Sequence, residues 1–292
     1  MCVVSVTFVR KQKDVLALSG PELKRKDFIQ SFTDALTNRS AGGRLQPRDY
    51  EIMRFILDQK FCSLEAIYFR FFDTRKSQGD GLPKNLWTTR QRLSKLRHLG
   101  LIKTEKVLSS GRAHFLLTLI GHKVVASHAK DTVLIRPTKS IDFSLYEHDT
   151  RITLIRALTE AKGKASHWYS DKWLKASPIQ VGEKHTYHFA KDLRPDAVFV
   201  NSKAEKIALE LEVARKTRTR IEEKIRLFDE LLEENYHRDS RERFKVLDKV
   251  WFIATKPVVF RFLHKMIEAR SRHPLCYRVD FYDDIVPAVA RG

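Results

Sequence analysis

Residues 194–213, RPDAVFVNSKAEKIALELEV, hold the pattern on which the fold turns. Pro195-Asp196 leads directly into the apolar run Ala197–Val200, and Lys206–Val213 reads as a second strand. On the two-residue period of a strand, Glu210 and Glu212 share one face while Ile207, Leu209, Leu211 and Val213 take the other. Two carboxylates on one face of an apolar strand have two readings. Either that face lies in solvent and the glutamates point outward, or they join Asp196 of the neighbouring strand as an oxygen cage for a hard divalent cation, Mg²⁺ or Mn²⁺. Such a cation activates water and stabilises the charge that builds at phosphorus.

Working outward, residues 145–160 (LYEHDTRITLIRALTE) read as an amphipathic helix with Ile152, Leu154, Ile155 and Leu158 inside and Glu147, His148 and Asp149 at its start. Ser166–Trp173 and Thr186–Phe189 read as strands. Downstream, a helix is expected from about Thr217 to Asn235, a buried strand over Lys249–Thr255, a closing helix over Pro257–Arg270 and a last edge strand over Cys276–Tyr282. Lys216 at the strand exit and Lys224, two turns into the helix, are the cations that could face the carboxylates.

The first half of the chain has a different character. Residues 1–140 carry 26 basic and 12 acidic groups, residues 141–292 carry 29 and 24, and the whole chain has a formal charge of +19. An excess of that size points to a polyanionic partner. Residues 1–45 are an ambiguous extension with no assigned function, and Pro47 then opens a helix running to Asp58. Ser63 caps a second helix, Leu64–Phe72, and a third carries Leu86, Leu93 and Leu96 to the terminator Gly100. Strands Leu101–Val107 and Arg112–Leu119 follow, joined by a Ser-Ser-Gly turn. The third helix offers Lys84, Arg90, Arg92, Lys95 and Arg97, and the hairpin offers Arg112. These cations are either a solvated helix face or a DNA-docking surface. Residues 131–141, with Arg136-Pro137, form a linker, so the expected units are 46–130 and 142–292.

The three helices and basic hairpin, above all NLWTTRQRLSKLRHLGLIKTE at 85–105, resemble the winged-helix family. In that family the third helix enters the major groove and the wing touches the backbone. Pro195-Asp196, thirteen intervening residues, and Glu210-x-Glu212, with a helix before and after, resemble the PD-(D/E)xK nuclease superfamily. The implied fold is therefore α/β (α+β): an N-terminal winged helix-turn-helix, then a restriction-endonuclease-like domain with a central mixed sheet flanked by helices. The resemblance implies that Asp196 and Glu210 bind metal. It also implies that Glu147 is the acidic residue some members carry on the first helix. Glu212 stands where the motif has Lys, leaving Lys216 or Lys224 to supply the cation.

The winged helix combined with RPDAVF (194–199), LELEVARKTRTRIEEKIRLF (209–228) and the EHD helix resembles the replication-relaxation family, which includes MOBC-type plasmid relaxases. That resemblance implies a Mg²⁺- or Mn²⁺-dependent endonuclease that recognises a plasmid transfer origin and nicks one DNA strand. An accessory mobilisation protein and a coupling ATPase are the implied partners, and a homodimer is an open option. Two other readings stay open: a non-catalytic replication or mobilisation regulator with a degenerate nuclease-like domain, and a repressor whose C-terminal domain only dimerises. His185-Thr-Tyr-His188 has the wrong spacing for an HUH relaxase, and no GxxxxGK[ST] loop is present for an ATP-driven motor. Cys2, Cys62 and Cys276 form no CxxC pair. With no signal peptide or membrane span read from the sequence, a cytoplasmic location is expected.

Overall fold

The computed structural model describes residues 45–73, 86–107, 110–128, 135–181, 185–236 and 243–288. The extension 1–44, Lys84 and the start of the linker at 131–134 lie outside them.

Helix α1 (Pro47–Asp58) begins with Pro47 in its first turn, where the missing N–H costs nothing, and the Gln46 N–H donates to Asp49 Oδ2 at 2.6 Å. A short strand β1 (Cys62–Ser63) follows, and Ser63 Oγ accepts from Ala66 N to start α2 (Leu64–Phe71). Helix α3 (Leu86–His98) stops at Gly100, whose φ of +71° is the left-handed conformation that a terminating glycine supplies. The hairpin β2 (Ile102–Val107) and β3 (Arg112–Leu117) is antiparallel, with β1 added to its β3 edge. The second strand ends two residues short of the expected Leu119. Thr118 Oγ1 accepts from Gly121 N and caps a helix the sequence reading did not contain, α4 (Leu119–His128). Gly121 sits so close to the Leu101 carbonyl that an added Cβ would lie 2.1 Å from its oxygen, so only glycine permits this approach.

The second half opens with α5 (Tyr146–Ala161). The expected strand from Ser166 is shorter: β4 covers His167–Ser170, and Ser170 then caps α6 (Asp171–Ala176) through Trp173 N. A small ribbon, β5 (Ile179–Gln180) with β6 (Thr186–Tyr187), leads to β7 (Ala197–Val200) and β8 (Lys206–Glu212). Thr217 caps α7 (Arg218–Leu232), and a ribbon of β9 (Asn235–Tyr236) and β10 (Arg243–Phe244) precedes β11 (Lys249–Ala254). Helix α8 (Pro257–Arg270), β12 (Tyr277–Phe281) and α9 (Tyr282–Ile285) are the last elements among the described residues. The main sheet has the order β12-β11-β8-β7-β4. Pairs β4–β7 and β7–β8 are antiparallel, whereas β8–β11 and β11–β12 are parallel, so the fold is mixed α/β around a mixed sheet with β12 at its edge.

The sheet is covered on both faces. Leu209 and Leu211 of β8 pack with Ile152 and Ile155 of α5, while Ala208 packs with Ile225 of α7 and Leu263 of α8. This covering removes the reading in which Glu210 and Glu212 face solvent: they are 2% and 1% exposed. The same apolar cluster includes Phe55, Ile67 and Tyr68 from α1 and α2, so the core runs unbroken from the first half into the second. Among the described residues no helix is long and apolar enough to cross a membrane.

Candidate functional site

Asp196 stands one residue before β7, and continuing the β7–β8 register, in which Ala197 faces Leu209, sets it opposite Glu210. Its Oδ2 accepts the Leu211 N–H at 2.8 Å, which ties the carboxylate to the end of β8. Glu210 and Glu212 follow on the face covered by α7, and Lys224 reaches them from that helix. Lys224 Nζ donates to Glu210 Oε2 at 2.5 Å and lies 3.6 Å from Glu212 Oε1. Lys216 Nζ donates to Glu212 Oε1 at 2.7 Å. Both expected lysines therefore reach the carboxylates: Lys224 bonds Glu210 and shares Glu212 Oε1 with Lys216.

These groups open into a cleft of about 1080 Å³ that also takes in Glu147, His148, Lys60, Asp171 and Arg194. Glu147 stands at its mouth with its side chain 65% exposed and paired with Arg151, so it does not touch the carboxylate cluster. The residue that does so from α5 is His148, whose Nε2 is 3.1 Å from Asp196 Oδ2 and whose Nδ1 is 3.5 Å from Asp149 Oδ1. Asp149 in turn accepts both 2.9 Å bonds from Lys60 Nζ. Lys60 arrives from the α1–β1 connection in a left-handed conformation, φ +69°, so the first half of the chain contributes a charge to the cleft of the second.

The electrostatics follow from burial against pairing. Burial pushes the Glu210 carboxyl up to about 7; Lys224 opposes that rise while Asp196 and Glu212 add to it. Burial would also raise Asp196, but His148, Lys224 and the Leu211 N–H outweigh it and hold its carboxyl below the ordinary range. Burial would lower the His148 imidazolium, yet hydrogen bonds to Asp149 and Asp196 raise it to about 10. Lys224 is likewise desolvated, but Glu210, Glu212 and Asp196 keep it charged.

Carboxylate oxygens are the donor type a hard cation prefers. Three carboxylates converge, and Glu210 Oε1 is buried without a hydrogen-bond partner, a cost that a ligand would remove. Lys224 stands between Glu210 and Glu212, and among the described residues no three or more His, Cys, Asp or Glu side chains are grouped so that they could hold a metal ion.

On α3 the expected cations separate into classes. Arg90 and Arg97 are exposed, seven residues apart and hence on one face, with Trp87, 68% exposed, beside them. Lys95 is half-buried. Arg92 is bound instead to Asp49, which is fully buried in α1, and so fastens α3 to its own core. Arg112 is half-buried at the start of β3. Lys84 lies outside the described residues.

Sequence reasoning gave His148 little weight and missed Lys60, Asp171 and Arg194. The EHD stretch contained a signal for the first, since three polar residues at a helix start must meet something. Lys60 carried none, because its partner lies 89 residues away.

No curated protein and no solved structure matches the chain. A family model does: the one described as replication-relaxation matches residues 53–247, well over half of the sequence, and the chain belongs to that family.

Proposed function

We propose that this chain is a metal-dependent DNA-nicking relaxase that recognises a plasmid transfer origin and cleaves one strand to start mobilisation. The family points to a role in replication or mobilisation. The observation that carries the finer reading is the convergence of half-buried Asp196 with buried Glu210 and Glu212 around Lys224 in an open cleft. The order α5, antiparallel β4-β7-β8, α7, parallel β11 supports a PD-(D/E)xK core. The order helix, strand, helix, helix, hairpin in residues 47–117 supports a winged helix, with Arg90 and Arg97 facing the DNA backbone and bases.

Asp196 and Glu210 would hold Mg²⁺ or Mn²⁺, with Glu212 as third ligand or base. The cation would supply Lewis-acid stabilisation of charge at phosphorus and a more acidic bound water. The chain's own groups set the stage for that chemistry. His148 and the Leu211 N–H fix the orientation of Asp196, and Lys216 holds Glu212. Lys224 brings a positive charge beside the scissile phosphate, where it stabilises the transition state. Burial of Glu210 discourages an unpaired negative charge there and so favours entry of a cation.

A nicking assay on supercoiled origin plasmid, mapped to the nucleotide with and without Mg²⁺ or Mn²⁺, tests the proposal. Asp196→Ala and Glu210→Ala each abolish nicking if it holds, and retention of nicking by either variant overturns it. The placement of Lys224 between the glutamates favours a second reading, a non-catalytic regulator in which the lysine has replaced the metal. Site-specific binding with no cleavage across a panel of metals would select that reading.

A further inference from the structure

Helix α5 has the carboxylate cleft at its start and a second concavity of about 420 Å³ at its end, roughly 24 Å away along 16 helical residues. The second pocket is cation-rich. Lys162 and Lys164 follow the end of α5, and Lys203 lies on the β7–β8 turn. All three are exposed and line the pocket; Lys203 also feels the nearby Glu205 carboxylate, whose hydrogen-bonded partners are Lys249 and Asn201. Lys249 is satisfied by Glu205 at 2.9 Å. On the far wall Arg278 lies over the Trp251 ring, its carbon 5.2 Å from the ring centroid, and its Nε is held by Asp280 Oδ2 at 2.5 Å. Trp251 is itself fixed, since its Nε1 donates to the same carboxylate at 2.8 Å. The guanidinium is therefore a flat, pre-oriented cation whose side chain remains 65% exposed.

We propose that this pocket is a second nucleic-acid subsite that takes one strand of single-stranded DNA, its phosphates on Lys162, Lys164 and Lys203 and a base stacked on the outer face of Arg278. Two features argue for a single strand. A concavity of this volume admits one nucleotide's sugar and phosphate but not both strands of a duplex. A supported guanidinium plane also offers a stacking surface, and a duplex, with its bases already stacked, cannot use it. A simpler role for Lys162 and Lys164 is to complement the α5 C-terminus. That role leaves Lys203 and the clamped Arg278 without a reason to face the same space.

Fluorescence anisotropy of the full chain with a labelled oligo-dT strand, and with a duplex of equal length, over a range of salt tests the subsite without using cleavage. It therefore succeeds or fails independently of the nicking assay. Replacing Lys162, Lys164 and Lys203 together by Ala lowers affinity for the single strand at least tenfold at low salt. It also flattens the log–log salt dependence by about two units, at about 0.7 per phosphate contact. Arg278→Lys keeps the charge but not the plane, so it weakens oligo-dT binding about tenfold with an unchanged salt slope. If the triple variant keeps its circular dichroism spectrum and binds oligo-dT with unchanged affinity and slope, the proposal is overturned. An equal loss on the duplex overturns the single-strand assignment.

Discussion

Lys224 Nζ sits 2.5 Å from Glu210 Oε2, joining the middle of α7 to the buried face of β8. The glutamate is almost wholly buried and its second oxygen has no partner, so the lysine is the counter-charge for a group that could not otherwise ionise at the protein's centre.

Removing that lysine leaves an uncompensated cluster. Lys224→Met is expected to cost about 3 kcal/mol in urea denaturation, the usual penalty for breaking one side of a buried pair. Lys224→Arg should recover part of the loss. Under the proposed function, nicking falls more steeply than stability in both variants. Equal stability of Lys224→Met and wild type would mean that Glu210 is protonated in the native state and needs no cation.

Arg92 and Arg97 are five residues apart on one helix and are expected to behave oppositely. Arg92 is locked to buried Asp49, so Arg92→Ala should destabilise the fold by about 3 kcal/mol. Arg97 is exposed, so Arg97→Ala should leave urea stability within about 0.5 kcal/mol of wild type. If α3 docks on DNA, that variant also weakens duplex binding and reduces the salt slope by about one unit. Urea titration and anisotropy on the two variants check both halves.

These contrasts mark how far the sequence could be read. Alternation alone put Glu210 and Glu212 on one face, and helical arithmetic carried Lys224 back toward it. Their burial was not legible, because it depends on α7 and α8 lying over that face of β8. The pairing of Arg92 with Asp49 was hidden for a similar reason: Arg90, Arg92, Lys95 and Arg97 on one helix look alike until a buried carboxylate selects one. Helix α4 was missed because Leu119–Val125 is as apolar as a strand, and only the Thr118 cap and the Gly121 approach to Leu101 make it helical. The Lys60–Asp149 pair joins residues whose only relation is the packing of α2 on α5.

Arg156 should reveal whether the two halves unfold together. It is buried on α5 between Glu160, at 2.9 Å, and Asp58 of α1, at 3.2 Å, with its guanidinium over the Phe55 ring. Arg156→Met leaves two carboxylates without their shared cation and is expected to cost about 3–5 kcal/mol. With the core continuous across the halves, wild type should show one cooperative transition by fluorescence and by circular dichroism. In the variant the two probes should separate as the halves lose their link.

Lys172 supplies the pH dependence. Its ammonium, on α6, donates to the Leu57 carbonyl at 2.6 Å and to Thr138 Oγ1 at 3.3 Å, and burial lowers its pKa to about 8. Asp58 opposes that shift, while the nearby Lys60 reinforces it. A lysine depressed in the folded state binds its proton more weakly there than in the unfolded chain. Its contribution to stability is therefore fully present above the unfolded value near 10.5 and is lost as pH falls through about 8. The difference in unfolding free energy between wild type and Lys172→Met should accordingly change in favour of wild type as pH rises from 8 to 10.5, by about 3 kcal/mol. Taking the difference between the two proteins cancels the opposing trend from His148, which loses its proton across part of the same range. A difference that stays flat between pH 8 and 10.5 would mean that the ammonium is as well solvated in the fold as in water.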